Sequence, residues 1–383
     1  MAKGKSALAM ALKKKIGSND EIQKVSHWID SGFPPLNKAI SGRYDGGFPS
    51  GRIVEIFGPP SAGKTFLATA AMVSAQKQEG LAVFLDHENS FDVGLAVANG
   101  LNADEDDGQW VYKQPDTFEE SVELIGTILK LVRDEELIPA DAPICIVADS
   151  LASMVPNSKA EKFDKMAEGT AKDKDQLNMN DNTALARATS ANFPTLALWA
   201  RKYNACIIFL NQVRTKIGVM FGDPTTSPGG DSPKFYASVR IRLGASVMKD
   251  GKDKIGQDVG AECIKNKVAP PFGKCSWKFY FDPTRGLDVI ESLVEHMLEE
   301  GYLPKNASGR VRLATRSIPN RRSSICIVIS PFRRSLRRYR RSTNVELKSL
   351  LQPKQKKRNH RASIGRLYIL FIITNKKTTW LLI

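Results

Sequence analysis

Apolar residues recur along this chain with two alternating periods. Arg52–Phe57, Leu81–Asp86, Ile144–Asp149 and Ala205–Leu210 are short, nearly continuous apolar runs, the pattern of strands covered on both faces. Segments with helical spacing lie between them: Phe118, Val122, Ile125, Leu129 and Val132 share one face, and Leu185–Tyr203 forms a later helix. Asp116-Thr117-Phe118-Glu119 reads as the capping box that opens the first of these helices. Strands and helices in this alternation predict an α/β fold with a mostly parallel central sheet flanked by helices. Past Lys234 the long helices cease, and the runs Phe235–Leu243, Glu262–Val268 and Ser276–Phe281 predict an antiparallel extension, followed by a helix over Leu287–Glu300 that stops at Gly301. Ahead of the sheet, Ser6–Lys13 predicts a short helix with Leu8 and Leu12 on one face. Residues 18–50, with Pro34-Pro35, Gly46-Gly47 and Pro49, read as a connecting segment.

Charge changes the picture once it is divided. The whole chain of 383 residues carries a formal +15, but from Arg312 onward there are 19 Lys and Arg against one acid, Glu346. Residues 1–311 therefore hold 37 basic and 40 acidic side chains, so the body must meet any polyanion through local patches. Five scattered cysteines with no metal-ligand spacing point to a reducing compartment. The longest uncharged apolar run, Leu367–Ile373, is far shorter than the roughly 20 residues a membrane span needs. A soluble cytoplasmic protein with no membrane partner is expected.

The first candidate chemistry is Gly58-Pro59-Pro60-Ser61-Ala62-Gly63-Lys64-Thr65, which satisfies G-x-x-x-x-G-K-[ST] between a predicted strand and a predicted helix. In that setting backbone N–H groups can curl round a phosphate, Lys64 can reach its outer oxygens and the Thr65 hydroxyl can ligate Mg²⁺. Asp149, at the end of an apolar strand, is a candidate for holding the same cation, although many strands end in Asp. Glu88, just past another strand end, faces the sheet edge where ligands of such folds bind; it is either a general base or a solvated loop carboxylate. His87 beside it reads as a surface or supporting residue. Finally, Ile207–Leu210 ends at Asn211-Gln212 and opens into a Gly- and Pro-punctuated loop, the wiring expected of a nucleotide sensor joined to a mobile binding loop.

Longer stretches carry a resemblance. Gly51–Pro59, Gly63-Lys64-Thr65, Phe84–Glu88, Gln114–Thr117, Asp149-Ser150, Asn211-Gln212, Lys216–Gly222, Gly229-Gly230, Lys234–Arg240 and Lys265–Pro270 resemble the RecA family of strand-exchange recombinases over roughly residues 30–305. The resemblance implies a RecA-type P-loop NTPase core using ATP and Mg²⁺, with Glu88 as catalytic glutamate, Asp149 and Thr65 at the metal and Asp92 near the adenine. It further implies that Gln212 senses the γ-phosphate, that Lys265 and Lys267 reach a neighbouring subunit's ATP, and that Phe235 lies in the subunit interface. DNA contacts are implied for Arg187, Arg214, Lys216, Phe221, Gly229 and Gly230. Two uses remain for Ile217, Val219 and Phe221: insertion between bases without reading sequence, or packing of a mobile loop on its own subunit.

Departures accompany these matches. Leu95 stands where the family usually stacks an aromatic on adenine, and Phe163–Asn182 looks inserted into a lysine-bearing loop expected between Pro156 and Thr183. Four segments are expected: an oligomerisation helix and linker over 1–30, the ATPase core over 31–272, a partial C-terminal domain over 273–311, and a basic tail over 312–383. That tail is either disordered or out-of-frame, or an arm that captures duplex DNA. The function expected is a DNA-dependent ATPase that forms helical filaments on single-stranded DNA and exchanges strands with double-stranded DNA. A DNA-binding recombination mediator with little ATP turnover is the alternative.

Overall fold

The computed structural model describes residues 24–104, 109–172, 183–215, 225–282 and 289–301, the single positions 10, 14, 15, 106, 181, 286 and 287, and three short strands near the C-terminus. The chain divides into two compact units, Met1–His296 and Met297–Ile383. In order, the first unit runs through β1 (Trp28–Ile29), α1 (Pro34–Ser41), β2 (Phe48–Pro49), β3 (Arg52–Gly58), α2 (Lys64–Gln76), β4 (Leu81–Asp86), α3 (Val93–Ala98) and β5 (Trp110–Lys113). It continues with α4 (Phe118–Asp134), β6 (Ile144–Asp149), α5 (Asn157–Ala167), α6 (Ala184–Lys202), β7 (Ala205–Gln212), β8 (Arg214–Thr215) and β9 (Thr225–Thr226). Then come α7 (Ser232–Tyr236), β10 (Val239–Asp250), β11 (Asp253–Asn266), β12 (Lys274–Tyr280) and α8 (Val289–Glu299), whose last three residues fall in the second unit. The second unit contains a three-stranded antiparallel sheet of β13 (Cys326–Val328), β14 (Ile369–Thr374) and β15 (Lys377–Leu382); the remainder of the basic tail lies outside the described residues.

The central sheet has eight strands in the order β12-β11-β10-β3-β7-β6-β4-β5. Every pairing from β10 to β5 is parallel, and β11 and β12 add the antiparallel extension. The continuous apolar runs follow from this arrangement, because successive side chains enter opposite cores. Ala82 and Phe84 pack on one face with Leu67, Ala71 and Met72 of α2, whereas Val83 and Leu85 pack on the other with Phe118, Val122, Ile125 and Leu129 of α4 and Phe193 and Leu196 of α6. No helix among the described residues is long and apolar enough to cross a membrane.

Several boundaries differ from expectation, each for a local reason. The capping box sits one residue later: Thr117 is the N-cap, accepting from Glu120 N, while the Glu120 carboxylate accepts from Asp116 N at 2.7 Å. Residues 18–50 are more than a connection, since Pro34-Pro35 begin α1 and β1 pairs with β2 across it. Phe235 belongs to α7, which Pro233 initiates, and the strand predicted from Phe235 begins at Val239. The loop expected between Pro156 and Thr183 contains α5. The predicted Ser6–Lys13 helix, Met10 apart, lies outside the described residues.

The centre of the sheet holds one buried carboxylate. Glu55 of β3, 1% exposed, is ion-paired with Arg240 of β10 at 2.5 Å and accepts from Asn211 Nδ2 of β7 at 3.0 Å. The Arg240 guanidinium also lies over the Phe57 ring, 4.8 Å from its centroid. Removing one member of such a pair leaves a desolvated charge alone. Arg240→Ala is expected to lower the unfolding free energy by about 3–5 kcal/mol in urea titrations; a loss below about 1 kcal/mol, the range of an exposed pair, would show that the pair does not secure the sheet.

Candidate active site

The C-terminal ends of β3, β4, β6 and β7 converge on one edge of the sheet; β4, β6 and β7 each supply a side chain there, and β3 opens into the phosphate loop. β3 ends at Gly58, where a Cβ would stand 2.8 Å from Leu243 O, and the loop then runs to Gly63, whose φ of +82° places it in the left-handed region that favours glycine. α2 starts immediately with Lys64, so its first N–H groups and dipole point into the loop. Lys64 Nζ donates to Gly58 O at 3.3 Å and Pro59 O at 2.9 Å, drawing the loop closed around the ammonium. Burial lowers the Lys64 pKa, while Asp149 and Glu88 act in the opposite direction. Thr65 Oγ1 donates to Asp149 Oδ2 at 3.0 Å. This hydroxyl and carboxylate form an oxygen donor set suited to a hard divalent cation beside a phosphate. Burial above all, with Glu88 and Asp86 nearby, pushes the Asp149 carboxyl up to about 6.

The turn after β4 is built by a residue that sequence reasoning missed. Buried Asp86 accepts from the backbone N–H groups of Glu88 at 3.0 Å and of Ser90 and Phe91 at 3.1 Å, and from Tyr112 OH at 3.0 Å. With its turn fixed, Glu88 presents Oε1 to three donors: Ser150 Oγ, Ser153 Oγ at 3.1 Å and Gln212 Nε2 at 3.0 Å. The candidate general base and the candidate sensor thus touch directly. Ser153 has no role in the sequence reading, nor has Ser150 beyond its place in the family-like Asp149-Ser150 pair; their signal is the pair of hydroxyls one and four residues after Asp149.

Not every predicted residue joins this cluster. Asp92 Oδ1 accepts from Leu95 N at 2.8 Å as the N-cap of α3, with Leu95 61% exposed beside it. Arg187 and Arg214 are exposed on α6 and β8. β8 pairs with β9, and Lys216 and Phe221, in the stretch between them, lie outside the described residues. Gly229 and Gly230 follow β9 with φ of +90° and +74°, and an added Cβ at either would stand 2.8 Å from Leu151 or Ala186. The protein's own packing therefore already requires glycine at both positions.

Lys267 belongs to the opposite edge. Ser238 N donates to Ile53 O and Lys267 N to Ser238 O, so Lys267 lies near the start of β3, which is separated from the P-loop by the length of the strand, about 20 Å at ~3.3 Å per residue, while Lys265 stands opposite Arg240, level with Glu55. A cavity of about 380 Å³ there is lined by Arg52, Arg201, Tyr236, Ser238 and Lys267 among others. Lys265 Nζ donates to the carbonyls of Lys234 at 2.5 Å and Phe235 at 2.8 Å, at the end of α7, and Phe235 projects 70% exposed. Burial first, then Lys267 and Arg240, push the Lys265 ammonium down to about 8.

A phosphate loop opening a helix, a hydroxyl–carboxylate pair beside it and a supported glutamate at the next strand end define a P-loop nucleotide-binding protein of the parallel α/β class. The RecA N-terminal domain family matches residues 4–286, and the chain belongs to the RecA family. It is 38% identical to Protein RecA of Treponema denticola over 77% of this chain and 64% of that protein, so it spans just under two thirds of that relative's length. Its identity to Protein RecA of Bacteroides thetaiotaomicron is 36%, over 76% of this chain and 78% of that one, and to that of Geobacter sulfurreducens 37%, over 77% and 78%. The crystal structure of the RadB recombinase matches 68% of this chain and 98% of its own at a TM-score of 0.46 and 20% identity.

Because Asp86 satisfies three backbone donors with one carboxylate, Asp86→Ala leaves them unpaired in a buried turn. The expected result is a loss of about 3 kcal/mol or more of stability and faster amide exchange confined to residues 87–92. Unchanged exchange there would mean that Glu88 is placed by other contacts.

Proposed function

We propose that this protein is an ATP-dependent DNA recombinase that assembles on single-stranded DNA and pairs it with homologous double-stranded DNA. The observation that carries the reading is the 3.0 Å hydrogen bond from Gln212 to Glu88 at the end of β7, the strand that precedes β8 and residues 216–224. On this reading Glu88 orients and deprotonates the water that attacks the γ-phosphate of ATP. On this reading a γ-phosphate oxygen offers Gln212 a second acceptor, toward which its amide reorients from Glu88. Its side chain can turn from one to the other while Asn211, bonded to Glu55 and Pro228 O, holds the strand end still. Nucleotide state is thereby passed to residues 216–224. Mg²⁺, held by Thr65 and Asp149, would neutralise charge on the β- and γ-phosphates. Exposed Arg187 and Arg214 can pair with DNA phosphates and carry no sequence preference, which leaves the reading of sequence to base pairing.

The separation of the two cationic regions supports filament formation. The P-loop edge and the Lys267 edge face opposite ways along one sheet, so Lys267 can complete a nucleotide site only on another subunit. Such head-to-tail contacts are heterologous and generate open helical assemblies unless the rotation happens to close. The mediator alternative, with little turnover, gives no reason for a glutamate supported by three donors.

Two outcomes test this reading. ATP hydrolysis by the full chain should be strongly stimulated by single-stranded DNA, and Glu88→Gln should lower kcat about 10²–10⁴-fold while nucleotide binding persists; robust nucleotide and DNA binding without stimulation would favour the mediator. The second concerns pH. A cation ligates the ionised Asp149, whose proton is held up to about pH 6 in the free fold. Affinity for Mg²⁺–nucleotide should then be level above pH 7 and fall roughly tenfold per unit below about pH 6, and Asp149→Asn should remove that step. A wild-type affinity that stays flat down to pH 5 would separate Asp149 from the metal.

A further inference from the structure

Glu88 is held from a second side, through the residue that precedes it. His87 Nε2 is hydrogen-bonded to Ser121 Oγ at 2.6 Å, and Ser121 is 2% exposed in the first turn of α4. The His87 backbone N–H donates to Asp149 O at 2.6 Å, so the residue is fixed at both ends. Burial keeps the imidazole neutral, pushing its pKa down to about 4 against the opposing carboxylates of Asp86 and Glu120.

The same turn of α4 carries the root of α5. Phe118 N donates to Val155 O at 2.9 Å, and the Glu119 carboxylate accepts from Asn157 N, also at 2.9 Å. Ser153, two residues before Val155, closes the path by donating to Glu88 Oε1 at 3.1 Å. Glu88, His87, Ser121, the start of α4, Val155 and Ser153 thus form a ring of short bonds. α5, which leaves the ring at Asn157, has none of its residues buried and carries Lys159, Lys162 and Lys165 among Glu161 and Asp164, with Lys162 ion-paired to Asp181 at 3.0 Å. A helix with no buried face is a poor contributor to the core, but a force on it acts directly on the ring at its root.

We propose that His87 is a positioning residue for Glu88, and that the His87–Ser121 bond transmits engagement of α5 by the phosphates of single-stranded DNA to the carboxylate. The inference rests on the reading of Glu88 as the base that hydrolyses ATP. It adds an input separate from Gln212: one acts through the loop after β7, the other through the segment after β6.

The test is steady-state ATP hydrolysis by the full chain, with and without a long oligo-dT, for wild type, His87→Ala, Ser121→Ala, the double variant and His87→Gln. If the bond positions Glu88, each single variant loses about tenfold in kcat with KM for ATP within about twofold, and the double variant loses no more than either. The ratio of DNA-stimulated to basal rate falls in the same three variants, and His87→Gln, whose amide reaches a similar distance, recovers most of both. Losses that add in the double variant, a loss confined to KM, or an unchanged kcat and stimulation ratio would overturn the proposal. A thermal midpoint and a fluorescent-ADP affinity are measured on each protein; should His87→Ala not fold, Ser121→Ala and His87→Gln decide the matter alone. Wild-type protein without ATP turnover would remove the recombinase reading and this inference together, whereas normal wild-type stimulation with indifferent variants would remove the inference alone.

Discussion

A carboxylate at the centre of a parallel sheet survives only if every strand around it supplies a partner, because an unpaired buried charge costs several kcal/mol. Glu55 meets that condition with Arg240 on one neighbouring strand and Asn211 on the other. Three strands are thereby fixed to one another by directional bonds, where apolar packing alone would tolerate sliding. The consequence reaches the functional edge. Asn211 also holds Pro228 O, so the chain before β8 and the chain after β9 are referred to the same buried group. Gln212, one residue beyond Asn211, inherits a strand end that does not move.

The site resolves into a rigid part and a switchable part. Asp86, with four hydrogen bonds to its carboxylate, and Gly58, pressed against Leu243, have no freedom to respond to a ligand. Lys64 and Gln212 differ, since each now satisfies itself on protein acceptors that a nucleotide could replace. Occupancy would exchange hydrogen bonds one for one, so the switch need not expose an unpaired buried group.

How much of this was legible in the sequence depended on the range of the interaction. The strands of the parallel sheet and the α2 start were readable because periodicity and the phosphate loop are local patterns. Glu88, Asp149 and Gln212 were readable as strand-end residues, and their roles came from the family resemblance. The contact between Glu88 and Gln212 spans 124 positions, and no pattern along the chain encodes it. Asp86 escaped notice because a strand-end aspartate looks alike whether it serves the ligand or the turn. Phe235-Tyr236, expected to open a strand because Phe and Tyr favour β structure, belong to α7, whose helical start Pro233 fixes as a single residue against that tendency. Gly229 and Gly230 were assigned to DNA contact on resemblance, yet Leu151 and Ala186, distant in sequence, already demand them.

The placement of the P-loop and the cavity lined by Lys267 at opposite ends of β3 also carries an arithmetic. If sites are completed head to tail as proposed, a row of n subunits contains n − 1 whole sites, a lone subunit contains none, and one terminal subunit always has a nucleotide without its lysines. Turnover per subunit would then climb with the length of the row, and the two tips would be chemically unequal. Growth and loss at the tips could proceed at different rates, so that a molecule with no internal direction sensor would still assemble with polarity.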